Sequence, residues 1–128
     1  MRRFAFALIA AAALAACAGS AIARSPTFDS KVTIDYGDIS KSKALAREFR
    51  GKVTSSKHDC EVGREVKVFH VDPGADTLVG LDETNAHGKW ALGNDIAKGR
   101  HYAKVRKAAI GSGFCKAARS QKITVHQA

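Results

Sequence analysis

The stretch Arg64-Glu65-Val66-Lys67-Val68-Phe69-His70-Val71 is the strongest β-strand pattern in this chain of 128 residues. Its apolar residues fall on both faces of an extended strand, because successive side chains point to opposite sides. A strand that is apolar on both faces is typical of the interior or of a crowded edge of a sheet. Asp72-Pro73-Gly74 then predicts a turn, since proline presets one backbone angle and glycine accepts a positive one.

Further short strands are predicted on both sides of this stretch, with turn residues between them. Residues 25–30 are predicted to be a loose polar segment, and residues 44–48 suit at most a short helical turn. About seven short strands without a convincing helix indicate an all-β fold, a β-sandwich of two packed sheets. The strands are predicted at residues 31–36, 49–53, 64–71, 77–81, 89–92, 101–106 and 123–125.

The core is predicted between the two sheets, on the apolar faces of these strands. Trp90, the only tryptophan, supplies the largest plug. The residues expected on the inner faces are Val53, Val66, Val68, Leu81, Trp90, Tyr102, Val105, Ile123 and Val125.

Residues 1–23 have the layout of a secretory signal peptide. Arg2 and Arg3 precede an apolar run at residues 4–16, and Ala21-Ile22-Ala23 is a small-x-small cleavage site. We therefore expect an exported protein, periplasmic or secreted. Residues 24–46 form an N-terminal segment with the first strand, and residues 47–128 form the sandwich body, which makes one domain with residues 31–36.

A lipid anchor is the alternative to release. Leu14-Ala15-Ala16-Cys17 resembles a bacterial lipobox, in which Cys17 would be lipidated and would hold a scaffold lipoprotein at the membrane. The apolar run is shorter than the roughly 20 residues that span a bilayer, and no later segment is longer, so no transmembrane segment is expected.

Two cysteines lie beyond the leader. Cys60 and Cys115 are expected to pair in an oxidising compartment, and closing that loop is worth about 4 kcal/mol. The alternative is a reactive thiol at Cys60 with His58 nearby, which needs a lowered pKa.

The chain is basic, with a net charge of +9 at pH 7. Such a surface attracts anionic polymers. Outside the cytoplasm, these are glycans, lipid head groups or other envelope polymers, and we expect no nucleic acid in vivo. Cations are densest at residues 98–107, where alternation puts an aromatic ring between them. The anionic-ligand surface predicted there consists of Arg100, Tyr102, Lys104, Arg106 and Lys107.

Catalytic and metal-binding patterns are weak. His58-Asp59-Cys60 and His70-Val71-Asp72 each place two ligand types two residues apart, but no set of three or four ligands is visible. Ser55 could join His70 and Asp72 in a hydrolase triad, yet no Gly-x-Ser-x-Gly turn is present. We expect no metal, no cofactor and no enzyme, with a small secreted hydrolase as the least favoured alternative.

The turn at residues 84–90, followed by Gly99-Arg100-His101-Tyr102, resembles the prealbumin-like, carboxypeptidase-regulatory-like sandwich superfamily. A longer series over residues 47–125 is similar to a bacterial group of exported proteins of unknown function. The resemblance implies an Ig-like or prealbumin-like sandwich that acts as a scaffold, adhesin or interaction domain. The series includes Phe49, Gly51, Val53, Cys60, Arg64, Val66, Val68, Pro73, Gly74, Gly88, Trp90, Tyr102, Val105, Cys115, Ser120 and Ile123.

We therefore predict a non-catalytic module that binds either an anionic polymer through residues 98–107 or a protein partner. The protein partner would add a strand to an unpaired edge at residues 77–81.

Overall fold

The computed structural model describes residues 25–39 and 46–126, which fold as twelve β-strands and one short 3-10 helix, with no α-helix among them. The predicted all-β class is confirmed. The signal peptide predicted at residues 1–23 and the lipobox Cys17 lie outside these residues. The strands are β1 (Thr27–Phe28), β2 (Lys31–Val32), β3 (Asp35–Asp38), β4 (Arg47–Thr54), β5 (Glu65–His70), β6 (Thr77–Glu83), β7 (Lys89–Gly93), β8 (Gly99–Val105), β9 (Ala108–Ile110), β10 (Gly113–Cys115), β11 (Ala118–Arg119) and β12 (Ile123–Val125).

The largest sheet has the order β11-β8-β5-β6, with β12 beside β11 along the same edge of β8. Its central strand β5 corresponds to the quoted stretch and pairs antiparallel with both neighbours. A bulge between Val68 and Phe69 shifts the register against β6. The prediction of an interior strand at β5 is therefore confirmed.

The second sheet has the order β2-β4-β3, with β7 on the other side of β4. The single strand predicted at residues 31–36 is in fact two strands, because pairing with β4 breaks between Val32 and Asp35. The helical turn predicted at residues 44–48 is also wrong where the structure describes it, since β4 begins at Arg47. Neighbouring strands supply the hydrogen bonds that a helix would otherwise make.

A small third sheet joins β1, β10 and β9. Thr27 and Phe28 pair in parallel with Phe114 and Cys115, so the segment predicted to be loose contains a strand. Parallel pairing over such a distance in sequence leaves no local pattern, which is why the sequence did not indicate it.

The two larger sheets share one hydrophobic core. Valines of β4, β5 and β8 are fully buried in it, together with Phe49 and Trp90. Two expected core residues are placed differently: Leu81 is 52% exposed, and Tyr102 is buried on the face of β8 opposite to Ala103 and Val105. The other expected residues lie in the core or pack against it.

A disulfide joins Cys60, at the end of the 3-10 helix His58–Cys60, to Cys115 of β10. Both cysteines are fully buried, and their Cα atoms are 5.4 Å apart. The predicted pairing is confirmed, so Cys60 is not a free thiol. Within the described ranges, no helix has the length and hydropathy that crossing a bilayer requires.

Candidate anion-binding face

The outer face of the largest sheet carries the charged half of the alternating strands. Along β8, Ala103 and Val105 point into the core, whereas Lys104 is exposed on the other side. The same alternation in β5 buries Val66 and Val68 and turns Lys67 outward. Lys67 and Lys104 therefore lie on the same outer surface of the sheet.

Strand register aligns three cations across this surface. Lys67 lies directly opposite Lys104, and Lys104 lies directly opposite Arg119 of β11. Side chains at such positions start roughly 5 Å apart. We call Lys67, Lys104 and Arg119 the basic row. Like charges in opposite positions destabilise a sheet, and a bound anion relieves that cost.

Only one member of the basic row has a carboxylate neighbour at salt-bridge distance in the described part of the chain. Lys67 Nζ lies 3.6 Å from Glu65 Oε1, and its side chain is 28% exposed. Lys104 and Arg119 form no salt bridge with the residues that the structure describes, and both are exposed. The charge of Arg119 nevertheless acts on the Asp76 carboxylate, so the positive charge is least compensated at Lys104.

Aromatic rings adjoin the basic row. The rings of Phe69 and Tyr102 stack with their centroids 5.4 Å apart, and the Arg119 guanidinium lies 4.6 Å from the centre of the Tyr102 ring. Such a stack orients the guanidinium through a cation–π contact. The basic row together with Phe69 and Tyr102 is named the basic–aromatic face.

The hydroxyl group of Tyr102 is hydrogen-bonded to a carboxylate. The Tyr102 hydroxyl donates a 2.7 Å hydrogen bond to Asp76, which lies just before β6. This bond raises the pKa of Tyr102 and lowers the pKa of Asp76, because it stabilises the neutral phenol and the charged carboxylate. Tyr102 is only 3% exposed, and its ring contacts Arg119, so it offers little surface to solvent.

The structure brings together some of the residues predicted for an anionic ligand. Arg100, Tyr102 and Lys104 occupy alternate positions of β8, and Arg106 follows directly after the strand. Lys107 does not join these residues. Its ammonium group contacts the third sheet, where it lies 4.6 Å from the ring centre of Phe114.

Sequence reasoning missed two members of the basic row. Lys67 lies 37 positions before Lys104 and Arg119 lies after it, and their proximity depends on register between strands. Alternation in the β5 stretch could have indicated that Lys67 faces outward, but it gives no information about which neighbour lies opposite.

The residues considered for hydrolysis do not assemble. The Thr77 hydroxyl donates a hydrogen bond to the Asp72 carboxylate, and His70 Nδ1 bonds the same carboxylate at 2.7 Å; both bonds lower the pKa of Asp72. The Ser55 hydroxyl instead donates to the carbonyl oxygen of Asp29 at 2.6 Å. His70 and Asp72 thus form a structural pair at the end of β5.

Metal ligands are not clustered in residues 25–39 and 46–126, where no group of three or more His, Cys, Asp or Glu side chains could hold an ion. No protein-family model, no curated protein and no solved structure matches this chain.

Proposed function

We propose that this chain is a non-catalytic, exported module that binds an anionic polymer through the basic–aromatic face. The observation that carries the proposal is the alignment of Lys67, Lys104 and Arg119 across three neighbouring strands. A sulfated or carboxylated chain lying across the strands would meet all three cations. Charge-assisted hydrogen bonds to them would replace the repulsion that the free face carries.

The fold that we propose is a prealbumin-like β-sandwich of the kind that the turn motif resembles. Two features support it. The two larger sheets share one core, which includes Trp90, and the motif glycine Gly88 has a φ of 72°. Only glycine adopts that angle without strain.

The Cys60–Cys115 disulfide supports a location outside the cytoplasm, since disulfides persist in oxidising environments. We propose a periplasmic or secreted protein cleaved after Ala23, with anchoring through Cys17 as the alternative. Mass spectrometry of the protein purified from its host distinguishes the two, because lipidation leaves a diacylated Cys17 as the first residue.

Titration of dextran sulfate and alginate into the protein by isothermal calorimetry tests the binding proposal. We expect Lys104→Glu to weaken binding about tenfold, because it removes one charge-assisted contact worth about 1.4 kcal/mol or more. Binding should also weaken as salt rises, since exposed charges are screened. Lys89→Glu is the matched control: it makes the same charge change at an exposed position of β7, in the other large sheet. Equal losses in both variants would reduce the effect to net charge and contradict a defined face.

A second candidate function is binding of a protein partner by strand addition. Within the described residues, β6 pairs with β5 alone, so its other edge has no strand partner, although the Asp82 carboxylate accepts a hydrogen bond from the Ala91 N–H of β7. Capture of a partner that is lost in Leu81→Pro, which removes an N–H pointing away from β5, but kept in Leu81→Ala would support this alternative. Circular dichroism must first show that Leu81→Pro is folded.

A further inference from the structure

The basic–aromatic face continues into exposed leucines on β6. Leu81 lies directly opposite Lys67, and Leu78 lies directly opposite Phe69, so both leucines share the outer surface with the basic row. Leu81 is 52% exposed and Leu78 is 48% exposed. The surface therefore runs from apolar side chains on β6 to cations on β8 and β11.

Nearby carboxylates leave this gradient in place. Glu65 pairs with Lys67, and Asp76 accepts the Tyr102 hydroxyl. Glu83 lies opposite Glu65, beyond the leucines. Lys104 and Arg119, which form no salt bridge with the described residues, lie on the side of the sheet away from β6, and the charge of Arg119 acts on Asp76.

We infer that this surface docks on an anionic lipid surface. The inference rests on the proposed function and narrows its ligand class. A soluble polyanion satisfies the basic row but leaves Leu78 and Leu81 in water. A bilayer offers both phosphate groups for the cations and an acyl boundary for the leucines. The apolar and cationic halves of one sheet face match that combination.

A partner strand fits the same surface less well. Strand addition uses the backbone edge of β6 and draws its affinity from main-chain hydrogen bonds. It makes no use of Lys104 and Arg119, which lie two strands or more away from that edge. The charge pattern therefore favours lipid over a protein strand.

Co-sedimentation with vesicles tests the inference. The full-length mature protein is mixed with phosphatidylcholine vesicles, with or without phosphatidylglycerol, and with dextran sulfate in parallel. We expect binding only to the anionic vesicles. Leu78→Ser combined with Leu81→Ser should weaken vesicle binding about tenfold and leave dextran sulfate binding unchanged, because only the bilayer buries these side chains. Lys104→Glu should weaken both, vesicle binding by about fivefold or more and dextran sulfate binding by about tenfold.

Ile96→Ser is the matched control, since Ile96 is 82% exposed in the loop between β7 and β8 and lies outside this surface. It should change neither kind of binding. A leucine variant that binds anionic vesicles like the wild type while still binding dextran sulfate overturns the lipid inference alone. Loss of all binding by the wild type overturns the proposed function as well.

Two further measurements separate the remaining outcomes. The tryptophan fluorescence of Leu81→Trp should shift to the blue with anionic vesicles and should be quenched by brominated lipid. The wild type, whose Trp90 is buried, should show neither change. Native mass spectrometry shows whether the leucines bury against another chain. A wild-type oligomer that the leucine variant dissociates would assign this surface to a protein partner and reject lipid docking.

Discussion

The guanidinium of Arg64 donates a 2.8 Å hydrogen bond to the carbonyl oxygen of Cys60, beside the disulfide. Arg64 is only 3% exposed, and burial lowers its pKa below the usual value. Arginine nevertheless remains charged in proteins. Its charge is distributed over oxygen acceptors from four segments of the chain, namely Ser30 Oγ and the carbonyl groups of Cys60, Arg106 and Lys116.

Replacing this arginine should destabilise the fold. We expect Arg64→Met to lower the free energy of unfolding by about 3 kcal/mol, because several buried acceptors lose their donor at once. Arg64→Lys should recover only part of the loss, since an ammonium group lacks the planar fork of donors. Urea denaturation followed by circular dichroism measures both.

The control for Arg64 is Arg106→Gln. Arg106 receives a bond from Arg64 through its backbone carbonyl, and its own side chain is exposed. This variant should stay within about 0.5 kcal/mol of the wild type. If Arg64→Met were no more harmful than Arg106→Gln, the arginine would have no structural role.

Alternation and turn residues predicted the existence of most strands, because each is a local property. The bounds of β12 at Ile123–Val125 agree with the prediction, and those of β5 agree within a residue at each end. The role of Arg64 was not predicted. Its bonds join residues 4 to 52 positions apart, and nothing local distinguishes it from a solvated cation.

The disulfide should account for a large part of the stability. Its cysteines are 55 positions apart, so the chain-entropy model assigns it about 4 kcal/mol. We expect Cys60→Ser combined with Cys115→Ser to lose about this much in urea denaturation. Adding a reductant to the wild type should give the same loss and should not affect the double variant further. A variant as stable as the oxidised protein would show that the bridge does not constrain the unfolded chain.

Gly51 should tolerate no side chain. A Cβ atom built there would overlap the carbonyl oxygen of Thr33 and lie 2.9 Å from Cζ2 of Trp90. Because one obstacle is backbone and the other is a buried ring, neither can move cheaply. We expect Gly51→Ala to lower the melting temperature by about 8 °C or more, equivalent to about 2 kcal/mol.

Gly74→Ala serves as the comparison for Gly51, since a Cβ there would meet no atom within 4 Å. Its melting temperature should stay within about 2 °C of the wild type. Equal effects at the two glycines would mean that the close approach of Thr33 and Trp90 does not set the cost at Gly51.

The candidate site was predicted only along β8. Arg100, Tyr102 and Lys104 share a face because a strand has a period of two. Lys67 and Arg119 join them through pairing between strands, and pairing depends on the whole core. The same reason explains the error at Leu81: β6 is an edge strand, and the bulge opposite Val68 and Phe69 puts Val79 and Gly80 toward the core and Leu81 outside.

His101 should make stability depend on pH. It is 2% exposed, between the rings of Phe49 and His70, and its Nδ1–H donates to the Gly99 carbonyl. Desolvation lowers the pKa of His101 below 6.5, and the charge of His70 lowers it further. The unfolded chain therefore takes up this proton at a higher pH than the folded chain does. The stability that the neutral form of His101 contributes is complete above about pH 6.5. It is lost as the pH falls from there toward the folded-state pKa.

We expect the free energy of unfolding to fall as the pH drops below about 6.5, with a slope approaching 1.4 kcal/mol per pH unit at most for this one proton. The lowered pKa values of Asp72 and Asp76 place their losses lower, below about pH 3.8. Urea denaturation at several pH values measures the slope. His101→Phe should flatten it even if the variant is less stable throughout, because the pH dependence reports the proton and not the packing. His87→Gln, at an exposed position, should keep the wild-type slope. A slope that survives in His101→Phe would assign the acid sensitivity to another group.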